Sequence, residues 1–452
     1  MRSRDAVREH TPGRGVAGFG LVLVLVPLFL MLGSPAASAD GEGTLCLPQA
    51  DTTGCISGTM GGRADPIADV DVVLTKPDGS TETVTTGDDG KFSFTITEDG
   101  EYLVGVDEDT LPDGFELRPP ADPNLRGPDN TLKVQGVVGQ LKAANLEVRP
   151  EGFERTTSKV DELLQSSANG IRLGLLLALA SVGLSLIYGT TGISNFAHAE
   201  QVTLGGMLGY LFVNQWGLNL WVGGVLVVIA TAASGLLQDA VLWKPLRRRG
   251  LGLTQLMIVT IGLALAMQYS YQFFVGSRTV RVVVESPEVR EFGPITMTTQ
   301  SLVAMAISIV VLAWVGYVLL RTRIGRATRA VADNPALAQA SGIDTDRVIR
   351  LVWTSAMGLA GLSGLLYALI VNGIKWDTGL QILLLLFAAV TLGGLGTAFG
   401  ALVGSLIIGL VIEVAPVLGV PGDFKYAAAL LMLILLLLVR PQGLLGKPQR
   451  VG

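Results

Sequence analysis

Two cysteines and two histidines in 452 residues leave little material for a metal centre. Cys46 and Cys55 sit close together, and His10 and His198 are remote from them and from each other, so no ligand set of zinc-site spacing can be drawn. The chain also lacks a G-x-x-x-x-G-K-[ST] loop, an H-E-x-x-H pair and a G-x-S-x-G elbow. The nearest approach to a phosphate loop, Gly443-Leu444-Leu445-Gly446-Lys447, is too short between its glycines and runs into Pro448. P-loop ATP hydrolysis, zinc-protease chemistry and elbow-type acyl transfer are excluded for this chain by itself, and no cofactor is implied. Charge is scarce too, at 16% of residues against 49% hydrophobic.

The scarcity is uneven. Residues 40–154 carry 8 Lys and Arg against 23 Asp and Glu, whereas residues 155–452 carry 21 against 13. An acidic polar module is joined to a basic apolar one, so the overall net charge of −5 says little about partners. Ahead of both, residues 1–39 read as an export signal. Arg2, Arg4, Arg8 and Arg14 precede an apolar run from Val16 to Gly33, and Ala37-Ser38-Ala39 offers a small-residue cleavage site. An uncleaved anchor is the alternative, and on either reading residue 40 onward lies outside the cytoplasm. In that oxidising compartment Cys46 and Cys55 most simply form one local disulfide, the alternative being two unrelated thiols.

Residues 40–150 alternate in strand fashion. The runs 70–75, 81–86, 91–96, 100–106, 131–138 and 141–148 are punctuated by Pro77-Asp78-Gly79 and Asp88-Asp89-Gly90 turns, which predicts a small exported all-β sandwich. The segment Thr86-Gly87-Asp88-Asp89-Gly90-Lys91-Phe92-Ser93-Phe94, with Gly100-Glu101-Tyr102, resembles the carboxypeptidase-regulatory-like β-sandwich. That resemblance speaks to fold, not to activity. Its acids read as a solvated face, since no D-x-[DN]-x-[DN]-G calcium loop appears. Residues 151–169 read as a polar linker.

From residue 170 to 446 the chain reads as a mainly α membrane domain. A span needs roughly 20 apolar residues, and nine intervals qualify as candidates: 170–188, 201–217, 220–242, 252–275, 300–320, 351–372, 379–394, 399–416 and 425–440. Basic residues cluster at 244–249, at 321–350 and after 440. Placing those clusters in the cytoplasm puts residue 150 outside, in agreement with the export signal, and the C-terminus inside the cell. The polar, β-rich stretch 276–298 then becomes an exported loop.

Two segments carry functional information. The first is a polar knot at residues 188–201, where Tyr188, Thr191, Asn195, His198 and Glu200 interrupt apolar sequence on both sides. Backbone that leaves a helix at membrane depth must be buried in protein or line a cavity, and ionisable groups there mark a pathway by default. The alternative reading makes Asn195 a helix cap and His198 and Glu200 interhelical hydrogen-bond partners. Few other acids accompany the apolar intervals: Asp239 and Glu413 lie near their ends. An ion-coupled carrier, which relies on buried acids or paired broken helices, therefore has weak support. The second segment runs from Arg321 to Asp344 and is too polar to span. Asp333 or Asn334 can cap a helix with Pro335 in its first turn, and Gly342 can end it, so the segment reads either as a short exposed helix of about two turns or as a solvated connector.

Three segments together resemble the permeases of branched-chain amino acid ABC importers: residues 174–200, residues 321–346, and Arg440-Pro441-Gln442-Gly443-Leu444-Leu445-Gly446. The resemblance covers about residues 168–448, in the same order. It implies a non-enzymatic permease subunit that works with a second permease, two cytoplasmic ATPases and an exported solute-binding protein. It also implies that Asp333, Asn334, Leu337, Ala340, Gly342 and Ile343 form the coupling helix that docks on an ATPase, and that the knot residues line the translocation path. The family commonly has Gly after the knot histidine, where this chain has Ala199. A stand-alone carrier and a membrane-anchored surface binding protein are the competing classes. The same permease type also serves urea and short amides.

Overall fold

The computed structural model describes Cys46 and residues 53–446, except 63–64, 113, 118–124, 129–130, 140, 145, 147, 151–157 and 284–288. The export signal expected over residues 1–39 and residues 151–157 of the expected linker lie outside the described residues, and residues 159–169 of that linker are helical. The chain divides into two compact units, Ala37–Thr156 and Thr157–Gly452.

The first unit is all β: β1 (Gly54–Thr59), β2 (Gly61–Gly62), β3 (Asp65–Pro66), β4 (Asp71–Thr75), β5 (Thr81–Thr85), β6 (Lys91–Ile96), β7 (Gly100–Val106), β8 (Phe115–Leu117), β9 (Leu132–Gly136), β10 (Leu141–Ala143) and β11 (Val148–Pro150). One antiparallel sheet runs β5-β4-β7-β9, and a second runs β10-β1-β6 with β1 and β10 parallel. Alternate residues of the two sheets, among them Val72, Leu74, Tyr102 and Val104 from one and Ile56, Phe92, Phe94 and Ile96 from the other, share a single core. This is the period-2 pattern of a sheet with one buried face. The interval 141–148 resolves into two strands, because the chain leaves β10 before pairing again with β8. The sequence reading missed β1, whose glycines disguise it. A Cβ at Gly54 would lie 2.4 Å from the Val137 carbonyl oxygen, and one at Gly58 would lie 1.9 Å from that of Ala144. Glycine is required where those backbones pass. Cys46 and Cys55 are joined as a disulfide with Cα atoms 5.8 Å apart, tying residue 46 to β1.

The second unit is helical. Its helices are α1 (Lys159–Thr191), α2 (His198–Gly209), α3 (Leu220–Gln238), α4 (Lys244–Arg248), α5 (Leu253–Val275), α6 (Thr299–Arg321), α7 (Arg323–Asp333), α8 (Pro335–Ala340), α9 (Thr345–Ile370), α10 (Thr378–Gly393), α11 (Ala398–Val414) and α12 (Lys425–Val439). Single π turns extend α2 through Tyr210–Gln215 and join α3 to α4 through Asp239–Trp243. Five helices are long and apolar enough to cross a membrane: α1, α3 with its extension to Arg248, α5, α6 and α9. The helices α10, α11 and α12 are apolar but shorter. Among the described residues, length and composition thus mark a mainly α, multi-pass membrane protein with five clear candidate crossings, and the other four of the nine expected intervals fall on α2 with its π turn, α10, α11 and α12.

Small residues set the close approaches. A Cβ at Gly174 would lie 2.8 Å from Leu406 Cα, and one at Gly409 would lie 2.5 Å from the Gly170 carbonyl oxygen, so α1 and α11 touch backbone to backbone. Likewise α2 meets α9, where a Cβ at Gly364 would fall 1.8 Å from the Val202 carbonyl oxygen. In lipid, where no hydrophobic force draws helices together, such approaches supply the packing. The stretch 276–298 contains the hairpin β12 (Val289–Phe292) and β13 (Ile295–Thr298). Val280 forms a two-bond bridge with Ile374 between α9 and α10, and Gln165 of α1 bonds the backbone of Thr296 in both directions.

Candidate functional site

The knot becomes a helix break. The helix α1 runs past Tyr188 to Thr191 and closes on Gly192, whose φ of +69 accepts the left-handed turn without a Cβ penalty. Residues 192–197 are non-helical, and α2 begins at His198. The aromatic ring of Phe196 stacks on Phe387 of α10 at 4.8 Å, which fixes the loop against that helix. Asn195, His198, Gln201 and Thr203 are completely buried and Glu200 is 3% exposed, whereas Tyr188 and Thr191 are half-buried. Broken backbone is therefore enclosed by protein, as membrane depth requires.

The side chains find few partners. His198 Nε2 lies 2.9 Å from the carbonyl oxygen of Ala180 on α1. A carbonyl only accepts, so Nε2 carries a proton, and in the neutral ring Nδ1 is left as an acceptor. Among the described residues that nitrogen has no hydrogen-bond partner, nor do Asn195 Nδ2 and Oδ1 or Glu200 Oε2. Each buried unpaired polar atom costs about 1–3 kcal/mol, so these groups are a poor choice for stability alone. The interhelical role considered for His198 is real, through Ala180. The capping role considered for Asn195 is not: the N-cap of α2 is Ala197, which makes no side-chain cap, and only the backbone oxygen of Asn195 accepts, from His198 N–H at 3.2 Å. Thr191 Oγ1 is turned back to donate to the Ile187 carbonyl at 2.7 Å.

Several residues around the break escaped the sequence reading. Tyr271 of α5, fully buried, donates its hydroxyl to the Glu200 carbonyl at 3.0 Å. Gln201 accepts from Ser234 of α3 at 2.8 Å. Asp377 heads α10 and accepts from Gln381 through Oδ2, while its buried Oδ1 has no partner. Two residues on, a Cβ at Gly379 would lie 2.8 Å from both Glu200 Cδ and the Ala199 carbonyl oxygen. Gly379 thus lets α10 approach the backbone of Ala199 and the carboxyl group of Glu200. Asp377 sits in a short inter-helix loop, where nothing in the sequence distinguishes it from a solvated cap.

The second segment folds as two helices. The first, α7, is amphipathic, burying Gly325, Thr328 and Val331 while Arg323, Arg326 and Arg329 stay exposed. The sequence reading assigned no helix there. Asn334, not Asp333, then caps α8, its Oδ1 accepting from Leu337 N–H at 3.0 Å, with Pro335 in the first turn. Six residues make under two turns. Gly342, at φ +88, ends the turn, and Ile343 N–H returns to the Ala338 carbonyl at 3.0 Å. Only Ala338 of α8 is buried. Leu337 is 67% exposed, and Asn334, Ala340 and Gly342 are exposed, with Ile343 half-buried. Asp346 of α9 pairs with Lys244 at 2.8 Å and Arg248 at 3.1 Å, tying the start of α9 to α4.

Comparison with known proteins places this arrangement. Residues 166–439 match the family model of the branched-chain amino acid transport system permease component. The high-affinity branched-chain amino acid transport system permease protein LivH of Salmonella typhimurium is 30% identical over 303 residues, covering 63% of this chain and 96% of that protein. BraD of Pseudomonas aeruginosa, named for the same system, is 30% identical over 308 residues with the same coverage. The probable LivH of Methanocaldococcus jannaschii is 30% identical over 287 residues, 60% of this chain and 89% of that protein. The match takes in the buried break and the exposed α8, and begins after the first unit. This chain belongs to the family of branched-chain amino acid transport permeases.

Proposed function

We propose that this chain is one permease subunit of an ATP-binding-cassette importer that moves branched-chain amino acids inward. The observation that carries the reading is α8. It is held at both ends, by the Asn334 cap and the Gly342 turn, yet presents Leu337 and Ala340 outward. A short rigid helix with an exposed apolar side chain is a docking element, and two cytoplasmic ATPases are its partners. Movement of α8 passes through α7 and α9 to the break, where Tyr188, Thr191, Asn195, His198 and Glu200 line the path. A second permease completes the pore, and an exported binding protein delivers substrate.

In this reading α2 with its π turn and the shorter helices α10, α11 and α12 also cross, giving nine spans in all, with the C-terminus cytoplasmic and the first unit outside. That unit is an accessory domain of the carboxypeptidase-regulatory-like kind. The test is uptake of labelled leucine, isoleucine and valine into vesicles holding the assembled subunits. Uptake that requires ATP and falls with loss of α8 contacts supports the proposal. Uptake that persists without ATP and collapses with the ion gradient sinks it in favour of a carrier.

A further inference from the structure

A long groove lies between α3 and α6, with α9 as its floor, and encloses about 1140 Å³. Small-molecule pockets occupy about 300–1,000 Å³, so this one exceeds what a single amino acid needs. It extends from Thr299 at the start of α6 to Thr322 at its end. At 1.5 Å per residue that is about 35 Å, enough to cross a hydrocarbon layer of about 30 Å. The walls are apolar and outward-facing, among them Val225 and Ile229 of α3 and Val303 and Trp314 of α6.

Positive charge enters at one end only, through Arg347 and Arg350 of α9. Arg347 is paired with Asp344 at 2.9 Å. Arg350 is half-buried, forms no ion pair among the described residues, and has its Nε buried without a hydrogen-bond partner. A guanidinium at the mouth of an apolar channel is costly unless an anion meets it. Its planar fork suits phosphate oxygens two at a time. Basic pockets between membrane helices are sites for anionic headgroups. We propose that the groove holds an anionic glycerophospholipid, its phosphate on Arg350 and its acyl chains laid between α3 and α6. A helix of a partner subunit would fill the apolar length, whereas the unpaired guanidinium of Arg350 calls for an anion.

The test uses the full chain, with whatever subunits co-purify, in nanodiscs of equal phosphatidylglycerol and phosphatidylethanolamine. A photo-crosslinkable phosphatidylglycerol labels peptides containing Val303 or Ile229 in the wild type. Lipid retained after detergent exchange is enriched about tenfold in phosphatidylglycerol, the size expected of one charge-assisted contact. Arg350→Gln loses the enrichment, Arg350→Lys keeps part of it, and Arg326→Gln, on an exposed face outside the groove, keeps all of it. Equal retention of the two lipids by the wild type overturns the proposal, as does equal loss with Arg326→Gln. Cross-linking of Val225→Cys or Val303→Cys to a second permease overturns it in favour of a protein-filled groove, and this arm requires no change at Arg350.

Discussion

The break at residues 192–197 and the helix α8 are both short polar interruptions in an apolar chain, yet they meet opposite fates. The break is packed against α1, α5 and α10, so Asn195, His198 and Glu200 lose water without gaining a full set of partners among the described residues. The helix α8 keeps its own backbone satisfied through Asn334 and Gly342 and leaves its side chains to solvent. Buried polarity must be supported by the packing around it, whereas exposed polarity needs only local caps. A fault near the break should therefore destroy structure, and a fault on α8 should spare structure and remove coupling.

The sharpest way to break that contrast is Gly364→Val. Its Cβ would fall 1.8 Å from the Val202 carbonyl oxygen, on the contact that holds α2 and hence His198 and Glu200. Overpacking of backbone on backbone should cost more than about 3 kcal/mol, leaving no monodisperse protein by size exclusion. A well-folded, active variant would show that α2 is held otherwise. Next in size, Leu337→Asp should lower ATP-driven uptake at least about tenfold and abolish ATPase co-purification. Its unfolding should move by no more than about 0.5 kcal/mol, as for an exposed site. Loss of stability together with uptake would make α8 structural.

Asn195→Ala reverses the measurement. Since neither amide atom has a partner among the described residues, stability should hold within about 1 kcal/mol. Uptake should fall severalfold if the side chain meets the solute, and unchanged uptake with lowered stability would assign Asn195 to the fold. Gly342→Ala should have a smaller effect. Nothing lies within 4 Å of the new Cβ, so only the φ of +88 resists it. A left-handed residue costs about 1–2 kcal/mol, which should reduce coupling a fewfold, whereas Gly342→Arg adds bulk on the docking face and should cut it further. Smallest of all, removal of residues 40–150 with residues 1–39 kept should leave uptake within about twofold. A large loss would move the β unit from accessory to essential.

Much of α8 was legible before the structure because its determinants are adjacent in sequence: Asn334 before Pro335, and Gly342 a turn and a half later. The choice of Asn334 over Asp333 as the cap was open, and the Leu337 bond decides it. The break was legible only as an interval. The strand β1 was hidden by Gly54 and Gly58, which look like turn residues until Val137 and Ala144 are seen lying against them. Tyr271, Ser234 and Asp377 were invisible for a related reason, as each is ordinary in its own helix or loop and acquires a role from a neighbour far along the chain.

The sequence by itself determined the class of molecule: an acidic period-2 module, a basic domain of apolar intervals, a polar interruption after the first of them, and a polar segment bearing cap residues at both ends. Each of these follows from composition, periodicity or caps within a few residues, where the physics is local. Tertiary structure alone decided which polar groups are enclosed and which of them are paired. It also decided where backbones touch and that a basic-ended apolar groove opens between α3 and α6. Those outcomes depend on which distant helices arrive at the same place, and at membrane depth packing, not solvent, sets the cost of every unpaired group.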